Sequence, residues 1–517
     1  MSTVSESNKS LQNESPREPA GADPRRWRAL ALLGVLQFML VLDITIVNVA
    51  LPKIQTSLGF SQAGLAWVVS AYVLMAGGFL LLGGRLADVF GRRRMLLTGI
   101  ALFMIASAVC GAAVNPGMLV AGRFGQGLGE ALAAPAALGL IALMFTDPKE
   151  RTKALGIWGG LTGIGGIMGY IISGLFTTYL SWRGIFYINA PVALALLFLV
   201  PRVVAETRMV RDKDHRIDFT GAIIATVGLV GVVYGLLEAA SRPWGSARVL
   251  LPLLGGIVLL GVTLVIEMRS EHPLIPVSFF ANRTRTVANV TALLFMAAFI
   301  PYSFLLTLFE QQVLDYSPLR SGLSYLPLGL AIGMGIGMST GLTPKVGVKA
   351  ISTVGFVMAG VGLWLTSMVT PDSSYLGGVL PGMIILGFFA GATMPAMTNA
   401  ALHNVTGQDS GLASGVQTTA QQIGSALGLA TLVTLAVRVA GDKVQSGIAP
   451  AVASTDGFVL SFRIGAVLLV VAGVLVALLL ERGVATAPPE AALASAPAPA
   501  PARASAPADS RDRTVSP

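Results

Sequence analysis

The chain has 517 residues, of which 54% are hydrophobic and only 12% charged, with 60 glycines and a mean hydropathy of +0.74. Soluble domains carry about 25% charged residues, so a series of soluble domains of this total length would lack the polar side chains to coat them. The formal net charge is +9; in a soluble protein that would point to nucleic acid, and the placement of the cations decides whether it does here.

Residues 1–28 are polar and mixed in charge, unlike a signal peptide, and are expected to form a cytoplasmic N-terminal tail. A hydrocarbon core of about 30 Å needs roughly 20 apolar residues per helix. Such runs predict fourteen helices, at 29–51, 66–87, 95–114, 118–145, 154–178, 183–204, 218–238, 249–268, 287–310, 323–343, 350–370, 376–402, 411–437 and 459–480. They divide into a six-helix bundle over 29–204, a linker with additional helices 7 and 8 over 205–268, and a second six-helix bundle over 269–480. The Ala/Pro-rich remainder, 481–517, has the composition of a disordered cytoplasmic tail.

With the N-terminus inside, the inner segments hold 25 of the 35 lysines and arginines, among them Arg92, Arg93, Arg94, Arg208, Arg211, Lys213 and Arg216. The outer loops hold seven: Lys53, Arg183, Arg242, Arg248, Arg320, Arg438 and Lys443. This bias predicts a multi-pass protein of the inner, cytoplasmic membrane with both termini in the cytoplasm, and it accounts for the basic charge without nucleic acid. One cysteine, Cys110, and three dispersed histidines, His215, His272 and His403, supply neither a disulfide framework nor a metal-ligand spacing. Cys110 is read as packing.

A charge at the centre of a membrane helix costs roughly 2.5 to 3.5 kcal/mol on insertion scales, so each one needs a reason. Asp43 in helix 1 and Glu130 in helix 4 both fall near mid-membrane by residue count, and the spacing permits one shared cavity. Arg123, Gln126 and Glu130 follow i, i+3, i+7 and form a polar stripe on helix 4. Arg123 and Glu130 are two turns apart, which suits a polar cavity better than a closed ion pair. The alternative for Arg123 is packing against backbone carbonyls, and for Asp43 a permanently protonated acid bonded to a neighbour.

On helix 1, Gln37 and Asn48 share a face, and Asp43 points about 120° away. Glu238 and Glu267 lie near helix ends, where they can reach the interface. Glu310, beside Gln311 and Gln312, is either of that kind or part of a vestibule at the outer mouth. Helix 5 carries Gly156, Gly159, Gly160, Gly163, Gly165, Gly166, Gly169 and Gly174, whose GxxxG pairs allow close helix approach or sliding.

After helix 2 the chain reads GRLADVFGRRR, with Gly84, Asp88, Gly91, Arg92, Arg93 and Arg94. Gly91 permits a tight turn, Asp88 can engage cations or a helix N-terminus, and the arginines anchor the cytosolic face. The loop resembles the signature loop of the major facilitator superfamily, where it latches a gate between two halves. A degraded second copy follows helix 10 as Leu342, Gly347 and Lys349, with Pro344 where the acid would be. LDITIVNVALP, with Asp43 and Asn48, is similar to the helix 1 signature of that superfamily's fourteen-helix drug:proton antiporters. RFGQGLG from Arg123 resembles their helix 4 motif, implicated in proton coupling. SWRGIFYINAP, which contains Asn189, and GLASG from Gly411 resemble the starts of their helices 6 and 13. The chain departs from the family in helix 5, where Gly169-Tyr170 replaces Gly-Pro, and in helix 13, where Gln421-Gln422 replaces Arg-Gln.

The resemblance implies an all-α polytopic fold of two six-helix bundles, each of inverted three-helix repeats, plus two central helices. It implies a proton-coupled efflux transporter, not an enzyme, that exports hydrophobic drugs or antibiotics by alternating access. No cofactor is expected, since the proton gradient supplies the energy. Asp43, Arg123 and Glu130 are the proton-coupling candidates. Gln37, Asn48, Gln126, Glu130, Tyr170, Glu310 and Gln311 are the candidates for the substrate cavity, and Gly84, Asp88, Gly91, Arg92 and Arg93 for the gating loop. The expected partners are protons, the lipid bilayer and a hydrophobic small molecule, but no nucleic acid, with the chain acting as a monomer. The alternatives are a dedicated exporter of one endogenous secondary metabolite or peptide-like compound and, more distantly, a polytopic membrane enzyme or receptor.

Overall fold

In a computed structural model of the chain, the described residues are 25–145, 147–206, 219–270, 277–403, 405 and 410–481. The expectations for residues 1–24 and 482–517, for Arg208, Arg211, Lys213 and Arg216, and for His215 and His272 concern residues outside that set. Among the described residues, fourteen helices are long and apolar enough to cross a membrane, and no strand occurs. In hydrocarbon the backbone must satisfy its own hydrogen bonds, which a helix does within each segment.

The spans are α1 Arg26–Leu58, α2 Gln62–Phe90, α3 Arg92–Gly111, α4 Pro116–Met144, α5 Lys153–Tyr179, α6 Gly184–Val203 and α7 Thr220–Glu238. They continue as α8 Ala247–Arg269, α9 Arg283–Val313, α10 Pro318–Val346, α11 Val348–Thr366, α12 Tyr375–Ala401, α13 Leu412–Gln445 and α14 Pro450–Leu479. Capping residues fix several starts. Asn115 accepts from the Met118 amide with Pro116 in the first turn, and Ser317 accepts from the Arg320 amide ahead of Pro318, the arrangement expected of helix N-termini. Helices α13 and α14 extend past the apolar runs at 411–437 and 459–480, and in that added length Lys443 and Asp456 pair at 2.5 Å.

An even number of spans leaves the start of α1 and the end of α14 on one face, the terminal face, and the opposite ends on the far face. On the terminal face the turns after α2 and α10 repeat one geometry. Gly91 has φ 101° and ψ 130°, Gly347 has φ 89° and ψ 152°, and both lie in a region that only glycine enters without strain. The proline-acid difference between the two loops therefore leaves the backbone turn intact.

Two seams join α1–α6 to α9–α14. At the first, α2 meets α13: the Thr419 hydroxyl donates to the Gly77 carbonyl at 3.3 Å, and a Cβ on Gly415 would fall 2.5 Å from Leu81. Helix α7 lies across this seam. Its Thr226 packs against Gly78 and its Tyr234 against Trp67. On the other side, Thr434 Oγ1 of α13 donates to the Leu236 carbonyl at 2.8 Å, and Arg438 donates to the carbonyls of Ala239 and Arg242 at 2.8 and 3.1 Å.

At the second seam α5 meets α10 near the far face. A Cβ on Gly174 would fall 2.8 Å from Leu319 Cα, and Gly322 abuts the Tyr170 carbonyl. Toward the terminal face the two helices present Gly156, Gly159, Gly160, Gly163 and Gly166, and Gly333, Gly337 and Gly341, with no atom within 4 Å of a Cβ at any of them. The glycines of α5 thus do two things: those nearest the far face allow close crossing, and those nearest the terminal face border open space.

Candidate functional site

Asp43 and Arg123 form an ion pair inside the first six helices. Arg123 Nη1 lies 2.5 Å from Asp43 Oδ2, with Asp43 0% and Arg123 1% exposed. Helix-face counting had set Asp43 apart from the other polar residues of α1, and its partner is supplied by α4. Two charges removed from water need further hydrogen bonds to offset their desolvation, and here they have them. Asp43 Oδ1 accepts from Asn189 Nδ2 at 2.7 Å and from Gln126 Nε2 at 2.9 Å. Arg123 Nε donates to the Val68 carbonyl at 2.8 Å and Nη1 to Gln126 Oε1 at 2.9 Å. The Gln126 amide also reaches Ser107 Oγ at 2.8 Å. The guanidinium lies 4.3 Å over the Tyr72 ring, a favourable cation–π position. Five helices, α1, α2, α3, α4 and α6, thus converge on one neutral pair.

Cys110, read from the sequence as packing, is buried with its sulfur 3.5 Å from Gln126 Oε1. Asn189, Ser107 and Tyr72 belong to this centre although none was singled out as a site residue. Asn189 lies in the SWRGIFYINAP segment, which was the available signal for it. Ser107 and Tyr72 sit in apolar runs that give none.

Glu130, two turns along α4 from Arg123, is partly exposed. Its Oε2 and the Tyr72 hydroxyl are buried beside one another with no further hydrogen-bond partner among the described residues, and Asn48 Oδ1 is buried without one. A mid-helix carboxyl group with no ion pair among the described residues is available to a proton or to a cationic group. Gln37 instead donates to Thr162 Oγ1 of α5 at 3.0 Å, a contact between helices of the same half.

The other cavity candidates gather near the far face. Tyr170 of α5 stacks on Tyr325 of α10, and Gln311 donates to the Val49 carbonyl of α1 at 2.8 Å. Glu310 does not line an open mouth. It is 0% exposed, in a π-helical turn over Phe309–Val313 that rotates it beneath the Pro318–Ser324 segment. Ser321 Oγ is 2.6 Å from its Oε2, and Ser324 Oγ is 2.7 Å from its Oε1.

In the loop after α2, Arg92 bonds Asp88 Oδ1 at 2.9 and 3.1 Å and the Gly139 carbonyl of α4 at 2.7 Å. Arg93 donates to the Val204 carbonyl at 3.1 Å, and Arg93 and Arg94 flank Glu206 at 3.6 and 3.7 Å. All these partners lie in the first six helices or just after them. Gly84 faces Pro135 of α4.

A family model described as Major Facilitator Superfamily matches residues 33–429. The chain is 38% identical over 462 residues to a puromycin resistance protein of Streptomyces alboniger, covering 87% of this chain and 90% of that one. It is 37% identical to a cephamycin export protein of Amycolatopsis lactamdurans, covering 79% and 84%. Among solved structures, a bacterial homolog to the human lysosomal transporter Spinster, in an inward-facing and occupied conformation, superposes with a TM-score of 0.63 at 16% identity, over 88% of this chain and 97% of that one.

Proposed function

The chain belongs to the Major Facilitator Superfamily and is a multi-pass membrane transporter of small molecules, not an enzyme; from that premise we propose that it exports hydrophobic drugs or antibiotics in exchange for protons. The observation that carries the reading is the sealed Asp43–Arg123 pair. Protonating Asp43 cancels the charge that compensates Arg123, and a buried cation without its partner is strongly unfavourable. A proton arriving at Asp43 therefore favours rearrangement of the helices that meet there. Glu130, beside the Tyr72 hydroxyl, offers its carboxyl group to a cationic substrate or to the proton in exchange.

The terminal face, which carries the excess of lysine and arginine, is the cytoplasmic one in this reading, and both chain ends lie in the cytoplasm of a bacterial inner membrane. The gap between α5 and α10 then opens inward, and the closed seam faces outside. The halves rock about a central cavity, with one chain as the functional unit and no nucleic acid involved. Each inward proton supplies about 2.3 kcal/mol per 100 mV of membrane potential, plus the pH gradient, so no cofactor is required.

The relatives' names support both a broad drug exporter and an exporter dedicated to one compound, and the cephamycin export protein favours keeping the second. A transport panel in inverted vesicles decides between them. Several structurally unrelated compounds accumulating only under an imposed pH gradient is the result expected of the first, and a single accumulated compound that of the second. Accumulation unaffected by collapse of the gradient would end the proton-coupled reading.

A further inference from the structure

Glu310 is a buried carboxyl group that the Asp43–Arg123 centre does not use. No ion pair to it occurs among the described residues. The groups that face it from the packed elements are Tyr302 of α9 itself, Tyr170 of α5, Tyr375 of α12, and Tyr325 and Arg320 of α10. Arg320 is exposed and lies 3.7 Å over the Tyr316 ring. On α14, Asp456 pairs with Lys443 and Arg463 lies over Trp364; on α1, Lys53 is exposed.

The oxygens around Glu310 count the hydrogens. Ser324 Oγ carries one hydrogen but lies against three oxygens, 2.7 Å from Glu310 Oε1, 2.9 Å from Glu310 Oε2 and 2.7 Å from the Ser321 carbonyl oxygen. If Glu310 is ionised, the carboxylate and the carbonyl are acceptors only, and one of the two 2.7 Å contacts brings two oxygens together with no hydrogen between them. A protonated Glu310 resolves this. Its Oε1–H donates to Ser324 Oγ, Ser324 donates to the Ser321 carbonyl, and Ser321 Oγ donates to Oε2 at 2.6 Å. Each of the contacts of 2.7 Å or less then contains a hydrogen, the 2.9 Å approach of Oε2 to Ser324 Oγ follows from the same carboxyl group, and no unpaired charge is buried.

We propose that Glu310 is a proton-binding site that latches the far face, where the seam between α5 and α10 closes with a proton on this carboxyl and opens as the proton leaves. The serines that cover Glu310 belong to the same Pro318–Ser324 segment that meets α5. Its Leu319 amide donates to Thr178 Oγ1 at 3.1 Å, its Gly322 abuts Tyr170, and Tyr325 at its end stacks on the Tyr170 ring. Water reaches an ionised Glu310 only when the segment lifts, and lifting it parts these contacts. The closed state binds the proton more tightly, so by linkage low pH favours closure and high pH opening, by up to about tenfold per pH unit for one proton. This latch does not depend on protons driving transport.

The test uses the full chain in lipid nanodiscs, at one pH on both sides and without substrate. Spin labels at Ser57 and Asp372, exposed on the far ends of the two halves, report closure by electron–electron distance measurement. The closed population is expected to rise as pH falls and to stay closed at every pH in Glu310→Gln. Infrared spectra of the closed form are expected to hold a carboxylic-acid C=O band that Glu310→Gln removes. A Glu310→Gln protein that follows the wild-type pH curve, a wild type whose closure ignores pH, or absence of that band would overturn the latch. None of these outcomes bears on exchange at Asp43, which proton release reports separately.

Discussion

The ring of Tyr170 lies flat against that of Tyr325, with centroids 4.1 Å apart and planes within 7°, and this stack joins the two halves at the far face. Aromatic pairs contribute about 0.5–1.5 kcal/mol beyond area burial, so Tyr170→Ala should shift the closed-to-open ratio of the far face by roughly two- to twelvefold toward open. Tyr170→Phe keeps the ring and should stay close to wild type. The distance between spin labels at the exposed Ser57 and Asp372 is the readout.

Asp43→Asn leaves Arg123 buried without its counter-charge, a change that costs about 3–5 kcal/mol when one member of a buried pair is lost. Substrate-induced proton release should disappear and the melting temperature should fall. In the double variant Asp43→Asn with Arg123→Gln, both charges are gone, so much of the stability should return while proton release stays absent. Proton release that persists in Asp43→Asn at normal expression would remove Asp43 from the exchange.

Glu130→Gln keeps the shape of the side chain and removes its charge. Hydrogen bonds to charged groups contribute about 1.5–3 kcal/mol, so apparent affinity for cationic substrates should drop roughly ten- to hundredfold, with neutral substrates little changed. Equal losses for both classes, measured in the vesicle panel, would place Glu130 outside the binding surface.

The two positive-φ glycines separate strain from crowding. An alanine at either position meets the backbone penalty of about 1–3 kcal/mol for that region. At Gly91 its Cβ would also fall 2.5 Å from Glu206 Oε1, whereas at Gly347 nothing lies within 4 Å. Thermal unfolding should therefore show Gly91→Ala to be the more destabilising of the two, and Glu206→Ala should narrow the difference.

Hydropathy made the number of spans and their order legible, because a membrane helix declares itself locally in one apolar run. The partners of its polar residues are not local. Asp43, Arg123 and Gln126 each stood out as polar groups inside spans, but the bond between α1 and α4 joins residues far apart in sequence, and face-counting within a helix does not say which neighbour a face meets. Glu310 looked like a residue at a helix end. Its burial follows from a π-helical turn and from serines in the next segment, neither of which has a periodic signature. The dual role of the α5 glycines was likewise hidden, since Gly163 and Gly174 have the same chemistry and differ only in what stands opposite.

Helix α7, hydrogen-bonded to α13 and packed on α2, binds one edge of the molecule as a spine binds a book. Rotation about such a spine makes displacement grow with distance from it. Labels on α5 and α10, at the opposite seam, should therefore travel farther during a transport cycle than labels on α2 and α13, and cutting Arg438 from its carbonyls on the α7 side should even out the two.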